Sequence, residues 1–138
     1  MKFISDLVVR MIKDCHANLK ELNHEFKWSL TKNTIRNEFG ILVLKLPRRS
    51  GKTHAVVEIL HQIPTAKAVS SFNLLRCINA PDIKDRIMST SDFQGHGMGQ
   101  TDVVIIDEAF ALSGYEQMEV DKMIEMLDRE TLVVKIGT

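Results

Sequence analysis

The chain has 138 residues, with 18 Lys and Arg set against 18 Asp and Glu, for a formal net charge of zero. That length suits one domain able to bury a core of its own, and the balanced charge excludes a strong nonspecific grip on nucleic acid through net charge alone. No apolar run approaches membrane-spanning length. Asp6 and Arg10 interrupt the N-terminal apolar residues, which excludes a secretion signal there. Two isolated cysteines, Cys15 and Cys77, make neither a disulfide framework nor a zinc site. The expected location is the cytoplasm, with both thiols reduced.

In chain order, Phe3, Leu7, Met11, Ile12, Cys15, Leu19 and Leu22 recur at three- and four-residue steps. This predicts an amphipathic helix over 3–22 whose stripe packs on the core. Residues 23–40 are mixed and polar, with Asn33, Asn37 and Gly40 as loop signals. The run at 41–46 is apolar except for Lys45, the length of a buried parallel strand, and Pro47 ends it. Residues 52–62 read as a helix closed by Pro64. A short strand is expected at 67–71, a helix at 72–78, another short strand at 86–90 and a glycine-rich loop at 94–100. Residues 103–106 form an apolar strand capped by Asp107 and Glu108. A helix follows at 115–128, with Val120, Met123, Ile124 and Leu127 on one face, and a last strand at 132–136. Strands alternating with helices predict an α/β fold, a parallel sheet covered on both faces by helices. The expected organisation is a single domain, 1–138, in which a helical extension over 1–40 precedes a core over 41–138.

Arg49-Ser50-Gly51-Lys52-Thr53 lies between a buried strand and a helix, the context a phosphate-binding loop requires. Backbone N–H groups of such a loop converge on phosphate oxygens. Gly51 allows close backbone approach, Lys52 places a cation on the β- and γ-phosphates, and Thr53 offers a hydroxyl to Mg²⁺. Position 46, where the general pattern has a glycine, is Leu. The apolar strand ending in Asp107-Glu108 supplies the complementary half. Asp107 is a candidate Mg²⁺ ligand, and Glu108 a candidate to polarise the attacking water. Without a nucleotide, the two carboxylates would simply be a solvated acidic helix start.

Arg48-Arg49-Ser50-Gly51-Lys52-Thr53 resembles the deviant Walker A motif of viral DNA-packaging terminase large subunits, members of the P-loop NTPase superfamily. In that family the first loop glycine is commonly absent, and an arginine sits three residues before the loop glycine, the position of Arg48 here. The resemblance implies that Arg48 acts in cis on the γ-phosphate, where a guanidinium stabilises developing charge. Asp107-Glu108-Ala109-Phe110 is similar to that family's Walker B motif. The strand at 132–136 with Gly137-Thr138 resembles its coupling motif, which gives Thr138 a γ-phosphate-sensing role. The resemblance covers roughly 41–138. In terminases the region before the first strand helps hold adenine. Phe26 and Trp28 are read first as core residues, and second as base-stacking candidates.

The resemblance implies an Mg-dependent ATPase with ATP and Mg²⁺ as ligands, working on double-stranded DNA in a homo-oligomeric ring, with a capsid portal or a nuclease-bearing subunit as partner. For a viral protein, the location is then the host cytoplasm. The competing expectations are a helicase-like DNA translocase and an ATP-binding regulatory module with little turnover.

Overall fold

The most apolar stretch of the chain forms the middle of the sheet. The computed structural model describes residues 2–47, 52–70, 81–89 and 101–138. Within them, five strands form one all-parallel sheet in the order β1-β5-β4-β2-β3. These are β1 (Ile41–Lys45), β2 (Ala66–Val69), β3 (Ile87–Met88), β4 (Val103–Asp107) and β5 (Leu132–Gly137). The helices are α1 (Lys2–Glu25), α2 (Lys32–Phe39), α3 (Lys52–Gln62) and α4 (Gly114–Met126), and a 3-10 turn at Lys84–Arg86 leads into β3.

Period-two alternation divides the central strands between two cores. Val103 and Ile105 of β4 and Leu132, Val134 and Ile136 of β5 pack with Val56, Ile59 and Leu60 of α3 and Val8, Val9, Ile12 and Leu19 of α1. Val104, Ile106 and Val133 point the other way, against Val120, Met123, Ile124 and Leu127 around α4. Burial on both faces is what requires near-continuous apolar strands. Each fully buried Val, Ile or Leu contributes about 1.5–3 kcal/mol. The first forty residues share the α3-side core with the sheet.

The amino ends of the strands are tied by three arginines. Arg36 on α2 donates to the carbonyls of Ile124 at 2.5 Å and Leu127 at 3.1 Å, and also to that of Asp128. The Ile124 carbonyl also accepts from Leu127 N at 3.2 Å and the Asp128 carbonyl from Thr131 N at 3.0 Å, so Arg36 adds charged donors to the backbone turns that close α4. Burial lowers the Arg36 pKa, and Asp128 opposes that shift. Arg86 does the same for α3, donating to Leu60, Ile63, Pro64 and Ala66 at 2.5–3.1 Å. Arg129 reaches Asn23 at 2.7 Å and the Leu30 carbonyl at 3.0 Å, joining the end of α1 to the start of β5.

Several local expectations change. The buried face of α1 carries Ser5, Val8, Val9, Ile12, Leu19 and Asn23, while Leu7 and Met11 are exposed. Two overlapping apolar stripes run along this helix, and packing on α3 selects the one through Val8 and Val9. The polar stretch 23–40 contains α2, started by Thr31, whose hydroxyl accepts from Thr34 N at 3.2 Å. Ile35 is the buried apolar residue of this short helix, too little for a periodic signal. The strand expected at 86–90 is two residues long, because the 3-10 turn takes up Arg86. Trp28 is 91% exposed, and the adjacent chain is anchored by Arg129 at the amino ends of the strands. It neither packs in the core nor lies at the carboxyl ends. The helix expected at 72–78 and the glycine-rich loop at 94–100 lie outside the described residues. Among the described residues, no helix is long and apolar enough to cross a membrane.

Candidate functional site

In a parallel sheet all strands end on the same side, and three adjacent strand ends gather the polar residues here. Lys45 of β1 pairs in register with Gly137 of β5, and Ile136 with Asp107 of β4. β1 and β4 flank β5, so their ends are about 10 Å apart at ordinary strand spacing. Leu46 N donates to Gly137 O at 2.8 Å, and Ala109 N donates to Ile136 O at 3.0 Å. Both flanking chains are thus still tied to β5 just past the ends of their own strands.

Asp107 continues the alternation of Val103 and Ile105 and faces the α3 side. It is 7% exposed. Burial, with the Glu108 charge beside it, raises its carboxyl from 3.8 to about 6, against a backbone hydrogen bond from Glu108 and the charge of Lys52. Lys52 opens α3 on this same face. Its ammonium lies 2.5 Å from Thr138 Oγ1 and 3.8 Å from Glu108 Oε1.

Glu108 has a φ of 50°, the one positive value among the described non-glycine residues. A regular strand would send its side chain to the α4 side, opposite Asp107. The left-handed conformation breaks that alternation and brings its carboxylate toward Lys52. For an L-residue with a full side chain this costs roughly 1–2 kcal/mol. The turn closes through Ala111 N donating to Glu108 O at 3.0 Å. Ser113 then starts α4 with a reciprocal capping box to Glu116.

The structure therefore brings together Lys52, Glu108 and Thr138, with Asp107 buried beneath them. Thr53 is exposed in the first turn of α3 next to Lys52. Arg48, Arg49, Ser50 and Gly51 lie outside the described residues. Among those described, no group of three or more His, Cys, Asp or Glu converges as a metal cage. One carboxylate and one hydroxyl fit Mg²⁺ better than a cage would, because this ion keeps waters and phosphate oxygens in its shell. A buried carboxyl held above its ordinary pKa is also one that a cation would stabilise as the anion.

Reasoning from sequence overlooked the far face of this strand end. Lys45 ends β1 on the face opposite Asp107. Its ammonium sits 5.0 Å from the centre of the Phe110 ring, a cation–π contact on the α4 side. β1 is a continuous apolar run ending in Lys45, so the sequence carried no signal for the face this side chain takes.

No known protein-family model matches the chain, and no curated protein matches it either. What is shown is an α/β fold with a five-stranded, all-parallel sheet flanked by helices.

Proposed function

We propose that this chain is an Mg-dependent ATPase resembling the motor domain of DNA-packaging terminases, with its site at the carboxyl ends of β1, β5 and β4. The observation that carries the reading is the convergence of Lys52, Glu108 and Thr138 over the buried Asp107 at the start of α3. Helix N-termini attract phosphate, and carboxyl ends of parallel strands are where α/β sheets bind ligands.

In this reading Lys52 leaves Thr138 to hold the β- and γ-phosphates. Thr53 and Asp107, with water, would hold Mg²⁺, which would supply charge neutralisation at the phosphate oxygens. Glu108 orients the attacking water, and Arg48, with the backbone of Arg49, Ser50 and Gly51, completes the loop around the phosphates. Thr138, released by Lys52 when nucleotide binds, senses the γ-phosphate and passes its state to β5. The substrate moved is double-stranded DNA, in a ring of copies working with a capsid portal or a nuclease-bearing subunit in the host cytoplasm.

One contact favours the second reading, an ATP-binding module with little turnover. Glu108 lies 3.8 Å from Lys52, so its carboxylate rests on the cation rather than standing free for a water. Steady-state hydrolysis with and without duplex DNA separates the two. The motor reading expects DNA-stimulated turnover, and Glu108→Gln should lower kcat by roughly 10²–10⁴-fold while Mg-ATP still binds. Binding without turnover supports the module, and turnover that survives Glu108→Gln removes the role assigned to this carboxylate.

A further inference from the structure

The turn that carries Glu108 is braced from the opposite face of the sheet. Gly137 follows Ile136, so its missing side chain would point to the α4 side, and the Phe110 ring fills that space. A Cβ on Gly137 would lie 2.5 Å from Cδ2 and 3.2 Å from Cε2 of this ring. Lys45 covers the ring from the neighbouring strand. Gly137 O accepts from Leu46 N, and Thr138, the next residue, holds Lys52. Phe110 is thus two residues from Glu108 and packs on the residue before Thr138. One ring contact joins the two chain segments whose side chains touch the Lys52 ammonium.

We propose that Phe110 is a positioning residue: seated on Gly137, it sets the distance between the Glu108 carboxylate and the Lys52 ammonium. The idea deepens the ATPase reading and rests on it for its kinetic part only. Phe110 does not touch the α3 face and has no direct role in holding nucleotide. Its loss therefore loosens geometry without removing a phosphate contact. It is 43% exposed, so its truncation leaves both apolar cores in place.

The test uses the full chain. Ångström-scale misplacement of a catalytic group costs up to about 10²-fold, so Phe110→Ala should lower kcat by roughly 10–100-fold with Mg-ATP affinity within about twofold of the parent. Phe110→Tyr, which keeps a ring, should restore most of the rate. Gly137→Ala, which pushes the ring off its seat, should match Phe110→Ala, and the double variant should be no worse than either alone. An unchanged kcat in Phe110→Ala, equal losses of kcat and affinity, or additive effects in the double variant overturn the proposal. If the parent chain shows no turnover, the hydrolytic reading fails separately, and the ¹⁵Nζ resonance of Lys52 decides the positioning role. Phe110→Ala should shift that resonance and Phe110→Tyr should not; a resonance unmoved in Phe110→Ala sinks the proposal.

Discussion

The two ends of this sheet spend their polar groups differently. At the amino ends, Arg36, Arg86 and Arg129 each donate to backbone carbonyls, Arg129 also to the Asn23 side chain, and they tie the ends of α1, α3 and α4. At the carboxyl ends, Asp107 is buried with its carboxyl held above its ordinary range, Glu108 is strained, and Lys52 rests on a hydroxyl and an imperfect ion pair. The first end holds the fold together. The second is less stable than the same backbone would permit, which under the proposed function reflects groups placed for a nucleotide. Substitutions at the two ends should therefore move stability in opposite directions.

The largest stability effect is expected at the amino end. Arg36→Met keeps much of the side-chain volume but removes three charge-assisted hydrogen bonds, to the carbonyls of Ile124, Leu127 and Asp128. The expected loss is about 3 kcal/mol in denaturant unfolding. Mg-ATP binding by the folded fraction should be unchanged, and a parallel loss of affinity would mean that the two ends are not separate.

At the carboxyl end the sign reverses. Asp107 binds its proton more tightly folded than unfolded, so its contribution to stability is greatest below pH 3.8. It falls as pH rises to about 6 and stays low above that. Asp107→Asn should flatten that part of the pH profile and raise stability at pH 8 by up to roughly 3 kcal/mol. In the parent chain Mg-ATP affinity should rise as pH climbs through about 6, because metal and proton compete for one carboxylate. Asp107→Asn should abolish that dependence. A destabilised Asn variant contradicts the assignment.

Much of this contrast was legible before the fold was known, but not all. The strand around Val104 and Ile105 is buried on both faces, and such a strand must be apolar throughout. Lys52–Gln62 is bounded by Pro47 and Pro64, which cannot lie inside a helix. The pairing of Lys52 with Asp107-Glu108 was readable as motif order, while Thr138 entered through resemblance alone, as a γ-phosphate sensor, and its contact with Lys52 was not foreseen. What remained hidden depends on register. Phe110 over Gly137 needs β4 and β5 aligned, and the carbonyls that Arg36 meets lie 88 and more residues away. Neither leaves a local pattern. The left-handed Glu108 is hidden for another reason: a sequence rule would place Gly or Asn there, and the site overrides the rule.

The smallest effect follows from that residue. Glu108→Gly should raise stability by about 0.5–1 kcal/mol, relief of the left-handed strain being partly offset by the added freedom of glycine in the unfolded chain. Turnover should be lost. A destabilised variant would mean that the Glu108–Lys52 pair contributes more than the strain costs.

The central claim is that the Lys52 ammonium at the start of α3 is there to receive a triphosphate. Calorimetric titration of the full chain with Mg-ATP, alongside Lys52→Ala, tests it most directly. The account predicts saturable one-to-one binding by the parent chain and none by the variant. Equal heats from the two proteins, or no binding by either, would contradict it.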